Sequence, residues 1–357
     1  MKKSLKIALQ REINIYVHNS LPLCIILADR KKYEWFMENF VNITQYEMNP
    51  EMLDFAEESD FWSDVLDVEA KRVSETEDEN IIDLIVEAVN RDSYLGIYVD
   101  EYFLRNKNSY NILHYVRMLI AYGYDLEKNQ ILCVGYASAS NIPGQNHEFD
   151  RVSFENYDFA SFREACRMAR AHYRETAPWA ENGYRFTFSE KPGFKHEFDI
   201  VRFLENLEDY LFSRAPSSKD PEKTNYGINV YDGLLEYIDS KWTKDVPKLD
   251  FRCFYFLLEH KKNLHKRLCF VADKYQIGGV IRDYIKQYEN DVLKKCNSIH
   301  LNFIKSLIRN EAMQFLDRLK KNLDKVEKAE VYILVKIYSL LKRRFRDGVL
   351  LHPPALE

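Results

Sequence analysis

VDEYFLRNKNSYNILHYVRMLIAYGYDLEKNQILCVGY, residues Val99 to Tyr136, decides how this chain is read. Its second half holds two apolar runs of strand length, Met118 to Tyr124 (MLIAYGY) and Gln130 to Tyr136 (QILCVGY). The polar residues Asp125 to Asn129 (DLEKN) join them, and two such runs across a short polar turn predict an antiparallel hairpin. Just upstream, Leu95 to Phe103 (LGIYVDEYF) is rich in β-branched and aromatic residues and reads as a further strand.

Working outward from this hairpin, the flanking segments mix helix and strand signals. Leu21 to Asp29 (LPLCIILAD) follows Ser20, a good N-cap residue, and places Pro22 near a first helical turn, so a short buried helix is expected to start near Ser20. Tyr33 to Ile43 is a second apolar, aromatic-rich segment, and Glu57 to Asn80 is an acidic connection around a short amphipathic piece. Ile81, Ile82, Ile85 and Val89 recur at helical spacing, Phe162 to Ala171 reads as helix, and Tyr184 to Phe188 (YRFTF) alternates like a half-exposed strand.

From about Gly193 the period changes to that of helices. Phe198 to Leu211 marks one, the loop Pro216 to Lys223 ends it, and further helical patterns cover 230–238, 251–259, 264–275, 280–293, 301–307, 313–326 and 331–345. Gly278-Gly279 is a natural helix stop. The C-terminal half therefore reads as a bundle with its apolar stripes turned inward, and no internal repeat stands out.

Composition narrows the function classes. The chain has 357 residues, enough for two domains. Glycine is scarce (11), while tyrosine (24) and phenylalanine (22) are abundant, which suits a helix-rich protein carrying an aromatic-lined sheet or surface. A formal net charge of −5 offers no global field for phosphate backbones, so nucleic acid is not an expected partner. No run of apolar residues is long enough for a membrane span or a signal-peptide core, and a cytoplasmic location is expected. The six cysteines are scattered without a CxxC pair, as for reduced thiols rather than a disulfide framework or a zinc site. The Rossmann fingerprint, Walker A loop, GxSxG elbow and HExxH helix are absent, and no cofactor or metal is expected.

What remains is a Cys or Ser near the start of an early helix, followed roughly a hundred residues later by a His ahead of a hairpin. A thiol at a helix N-terminus has its thiolate stabilised by unpaired N–H groups, and a His on an adjoining strand can take its proton. Val99 to Tyr136, with VDEYFL, His114 and Gly123-Tyr124-Asp125, resembles a segment of the butirosin biosynthesis protein H N-terminal-like family, found beside nonribosomal peptide and polyketide gene clusters. That family is itself similar to the papain-like cysteine peptidases, close to the bacteriocin-processing ones. WFMENFVNI (Trp35 to Ile43), NYGINVYDGLLEYI (Asn225 to Ile238) and DFRCFYFLLEHKKNLHKRL (Asp250 to Leu268) are similar to it as well.

The resemblance implies an α+β fold, with a papain-like domain carrying a small antiparallel sheet over residues 1–192 and an all-helical bundle over 193–357. It implies acyl-group chemistry, in which a cysteine takes an acyl chain from an acyl or peptidyl carrier-protein thioester and hands it to a small-molecule amine. Cys24, His114 and Asp125 are the candidate nucleophile, base and orienting carboxylate. The sequence departs from the family at both key positions: Arg117 stands where the family has its usual His, and Tyr16 where it has its Cys. An arginine stays protonated and cannot act as a base.

Three readings therefore stand side by side: a cysteine-dependent acyltransferase or amide-forming enzyme, a degenerate relative working as a binding or scaffold subunit, and a structural or regulatory protein whose aromatic residues pack the core. Each candidate also has a plain structural role. Cys24 lies in an apolar helix, His114 can be held by local hydrogen bonds, Ser20 suits an N-cap, and Asp125 suits a turn. The basic cluster Lys342, Arg343, Arg344 and Arg346 suits a helix C-terminus and also the docking of an acidic carrier protein. The aromatic residues are read either as the lining of a site for a long acyl chain or aromatic substrate, or as core packing. A homodimer stays open.

Overall fold

The hairpin on which the sequence reading rests is present, and a sheet is built around it. In a computed structural model, the described residues are 1–56, 61–72, 80–137, 152–176, 184–216, 223–240, 250, 252–309 and 312–345. Much of the acidic connection 57–80, the loop interior 217–222 and Arg346 of the basic cluster lie outside them. In chain order the first elements are β1 (Lys2–Ser4), α1 (Val17–Ile26), α2 (Tyr33–Glu38), β2 (Ile43–Tyr46), β3 (Leu53–Phe55), β4 (Leu66–Arg72) and α3 (Ile81–Asn90). They are followed by β5 (Ser93–Asp100), β6 (Val116–Asp125), β7 (Gln130–Tyr136), β8 (Val152–Asp158), α4 (Phe159–Thr176) and β9 (Tyr184–Glu190). The last are α5 (Ile200–Leu211), β10 (Lys223–Tyr226), α6 (Val230–Ser240), α7 (Arg252–Lys274), α8 (Val280–Tyr288), α9 (Lys294–Arg309) and α10 (Ala312–Phe345). The protein is thus mixed α+β, with antiparallel sheets toward its N-terminus and a mostly helical C-terminal region.

Two compact units divide the chain. The first comprises Met1–Tyr33 and Asp60–Lys195, the second Glu34–Ser59 and His196–Glu357. The first is built on a 7-stranded sheet in the order β4-β9-β5-β6-β7-β8, with β1 paired to the far end of β6. Every pairing is antiparallel, and the β6–β7 register sets Ile120 opposite Val134 and Asp125 opposite Gln130. Gly123 is required by this packing, because a Cβ there would lie 2.7 Å from the Lys3 carbonyl oxygen of β1.

Alternation along the strands sends side chains to two faces. On one, Leu95, Ile97, Val99, Leu119, Ile131 and Cys133 form a core with Ile81, Ile85 and Val89 of α3 and with Phe162 and Cys166 of α4. On the other, Tyr136 meets Ser20 of α1. The helix α1 begins at Val17, three residues before the position expected from Ser20, so Ser20 and Pro22 lie inside it and Tyr16 is the N-cap, without a side-chain cap bond. An interior proline costs about 3 kcal/mol. Residues Asn19 to Ile26 are all buried, and at about 1.5–3 kcal/mol for each large aliphatic side chain that burial outweighs it.

The second unit carries a three-stranded antiparallel sheet, β10-β2-β3, and the helices α5 to α10. The helix stop at Gly278-Gly279 is observed, with Gly279 at φ 61°. Two other expected breaks are absent: 252–274 is one helix of 23 residues and 312–345 one of 34. The polar stretches that suggested those breaks hold buried, bonded side chains instead. Lys261 Nζ donates to Tyr210 Oη (2.6 Å) and His260 Nδ1 (3.1 Å), and lies 2.9 Å from Glu330 Oε2. Glu330 also accepts from Tyr231 (2.8 Å) and Tyr288 (2.9 Å), and all six residues of this network are fully buried. Because His260 Nδ1 accepts from lysine, its Nε2–H donates to the Val41 carbonyl oxygen at 2.8 Å. Burial, followed by the neighbouring Lys261, holds the His260 pKa well below its ordinary value.

Candidate functional site

Asp100 ends β5, Val116 begins β6, and the two face each other in register, so the connection 101–115 hangs from one end of the sheet. Asp100 is fully buried. Its Oδ1 accepts from the backbone N–H of Tyr102 (3.0 Å) and Tyr115 (3.1 Å), and its Oδ2 lies 2.7 Å from His114 Nδ1. The imidazole stacks on the Tyr102 ring at 4.3 Å and is 37% exposed. A carboxylate only accepts, so Nδ1 carries the proton and Nε2 is the basic nitrogen of the neutral ring. Chemically this is an oriented base: a buried carboxylate fixes the ring and its tautomer, and the ring edge reaches solvent.

The same end of the sheet carries the N-terminus of α1, through Tyr136. Tyr136 Oη donates to the Asn14 carbonyl oxygen at 2.5 Å, which uses its single proton, so Ser20 Oγ donates to Tyr136 Oη at 2.7 Å. Ser20 is fully buried, and its hydroxyl proton is committed to that bond. Arg117 lies beside it, its guanidinium 5.2 Å from the Tyr136 ring centre and 4.8 Å from that of Tyr115, with Nη2 donating to Tyr115 Oη at 3.2 Å.

Behind these groups lies a buried ionic cluster. Lys107 Nζ donates to Glu155 Oε1 (2.7 Å) and to the Tyr136 carbonyl oxygen (2.5 Å), and lies 3.6 Å from Glu101 Oε1. Tyr157 donates to the other oxygen of Glu155, and Ser109 donates to Glu101 at 3.3 Å. Burial and the Glu155 charge push the Tyr157 phenol well above its ordinary value, so it stays a donor at any working pH.

The three residues singled out from sequence do not form one constellation. Cys24 is fully buried in α1, its thiol donating to the Ser20 carbonyl oxygen at 3.4 Å. Burial pushes that thiol up to about 12, and a hydrogen bond from the backbone of Gln10 offsets this only in part. Such a group carries almost no thiolate near neutrality. Asp125 closes the β6–β7 turn, its Oδ1 accepting from the N–H groups of Glu127 and Lys128, both at 3.2 Å. The carboxylate that meets His114 is Asp100 instead, a residue inside the VDEYFL stretch. Its signal in the sequence was an acidic residue ending an apolar strand, but the 14-residue separation from His114 has no local period to reveal the pairing.

Among the described residues no group of three or more His, Cys, Asp or Glu side chains is placed to hold a metal ion, and no disulfide joins the cysteines. Nor is any described helix long and apolar enough to cross a membrane. No family model matches the chain, and no curated protein matches it.

Proposed function

We propose that the first unit is a papain-like module that has lost its nucleophile and base, and that the protein is a cytoplasmic binding subunit of secondary-metabolite assembly. Its partners are an acyl or peptidyl carrier protein and the amine that receives the acyl group. One observation carries this reading: Arg117, at the position where the resemblance expects a base, is a guanidinium held between two tyrosine rings. The filled helix terminus agrees with it. Tyr16 occupies the N-cap, and the nearest hydroxyl and thiol, Ser20 and Cys24, are both buried and committed to other partners. The antiparallel sheet with α1 on one face and α3 and α4 on the other agrees with the mixed α+β class that this reading assumes.

A second reading is favoured by the Asp100–His114 pair. An oriented base of this kind takes a proton from an incoming amine as its nitrogen attacks a carrier thioester. The C–N bond forms, the C–S bond breaks, and the carrier leaves as its thiol with that proton, with no covalent enzyme intermediate. The deciding experiment incubates the purified protein with a carrier-bound acyl thioester and an amine, and follows amide formation by mass spectrometry. The binding-subunit reading expects carrier binding and no turnover above the uncatalysed rate. Turnover that disappears in His114→Ala sinks it in favour of the base reading, and turnover lost only in Cys24→Ala would restore the cysteine mechanism.

A further inference from the structure

The helix α10 presents one exposed stripe along most of its length. Lys321, Lys325, Lys328, Tyr332, Val335, Lys336, Ser339 and Arg343 are all exposed, and at about 100° per residue they fall within one arc of about 100°, so they line a single face. From the first to the last of these the helix rises roughly 33 Å. Of the acidic residues between Lys321 and Arg343, Glu330 is buried, Glu327 is partly buried, and Asp324 is ion-paired with Lys328. Lys328 is paired with Asp324 at 2.6 Å, and Lys320, off the stripe, with Asp239. Among the described residues no carboxylate pairs with Lys321, Lys325, Lys336 or Arg343. Between the cations sit two exposed apolar side chains, Tyr332 (52%) and Val335 (40%), with the Lys336 ammonium 5.7 Å from the Tyr332 ring centre.

On an ordinary solvated helix face both signs alternate, whereas here one i,i+4 pair, Asp324 with Lys328, neutralises one cation and four others keep no carboxylate partner. A protein with net charge −5 thus keeps four cations without a carboxylate partner on one helix face. We propose that the α10 stripe docks the acidic helix of a partner protein, its carboxylates meeting the row of cations and an apolar side chain seating against Tyr332 and Val335. Four cations spread over about six turns of one helix face, with two apolar side chains between them, fit a second helix laid alongside. A membrane surface fits less well, since the opposite face of α10 is buried through Leu334, Ile337 and Leu341 and two apolar side chains form no band wide enough to enter lipid. A nucleic acid backbone would leave the apolar centre without a partner.

The probe is a helical peptide of about 22 residues with glutamates along one face and a central leucine, its binding to the full chain read by fluorescence anisotropy. The expected result is binding about tenfold tighter than to the same peptide with glutamine for glutamate, weakened as salt is raised from about 50 to about 300 mM. The triple variant Lys325→Glu, Lys336→Glu, Arg343→Glu should lose about tenfold in affinity, and Tyr332→Ala should weaken binding at unchanged salt dependence. All four positions are exposed, and an unchanged melting curve verifies folding. Equal binding of the glutamine peptide, or an unaffected triple variant, overturns the proposal. Binding to phosphatidylglycerol vesicles without peptide binding would assign the stripe to lipid. Self-association abolished by Tyr332→Ala would assign it to a second copy of this chain, and either result refutes the partner helix.

Discussion

Replacing Asp100 by asparagine separates the readings of the His114 site, because it preserves shape while inverting a hydrogen bond. The buried carboxylate accepts three bonds, at 2.7, 3.0 and 3.1 Å. In Asp100→Asn the amide oxygen still accepts from Tyr102 and Tyr115, while the amide nitrogen can only donate toward His114 Nδ1. The ring must then move its proton to Nε2, so that Nε2 no longer carries the basic lone pair. Bonds to a charged group contribute about 1.5–3 kcal/mol each and neutral ones about 1, so the exchange should cost about 2 kcal/mol. Asp100→Ala leaves two part-buried backbone N–H groups without their acceptor and should cost about 2–4 kcal/mol. Hydrogen exchange at the β5 and β6 amides reads these losses within the first unit, and long-range nitrogen–proton correlation of the neutral imidazole reports the tautomer. Wild type should show the proton on Nδ1 and Asp100→Asn the proton on Nε2. A wild-type ring already protonated on Nε2, or an Asp100→Ala cost below about 1 kcal/mol, would refute the orientation argued from these distances.

Three further outcomes follow from the buried groups. Lys261→Met strands the Glu330 carboxylate among tyrosines and should cost about 3–5 kcal/mol in urea unfolding, while Lys261→Met with Glu330→Gln should cost less than the two singles added; strict additivity would show that the pair is not coupled. The depressed His260 pKa means that the unfolded chain takes up a proton which the folded protein refuses, so this residue's contribution is present above about pH 6.5 and is lost as pH falls below it. His260→Gln should therefore remove up to about 1.4 kcal/mol per pH unit from the acid slope, and an unchanged slope would contradict a neutral buried ring. Iodoacetamide at mildly alkaline pH should spare Cys24, whose thiol is pushed up to about 12, and modify the partly exposed Cys269 first; rapid native-state labelling of Cys24 would revive it as a nucleophile.

The elements legible in the chain are those with a short repeat and an unbroken apolar pattern. The β6–β7 hairpin and the helix α3 declare themselves because alternation and 3.6-residue spacing are local properties. The short strands β2, β3 and β10 do not, since three or four residues carry too little period and their pairing joins segments far apart in sequence. The start of α1 was displaced for a different reason: a serine followed by a proline has the local chemistry of a helix beginning, but the burial of Asn19 to Ile26 extends the helix backward through Val17. In α7 and α10 the polar stretches looked like breaks, and only their partners, Tyr210, Tyr231 and Tyr288 on other helices, turn Lys261 and Glu330 into interior residues.

The candidate site divides along the same line. From the residues came strands followed by a helical C-terminal half and His114, ahead of the hairpin, as a candidate base; the resemblance added the expectation of a base at Arg117, a residue type that cannot be one. Tertiary structure alone decided that His114 is held by Asp100 and not by Asp125, that Ser20 and Cys24 are buried and committed, and that Arg117 lies against Tyr136. The physical reason is that residue type sets what a group can donate, accept or protonate, whereas its partner and its burial depend on register and packing between segments that no local pattern relates.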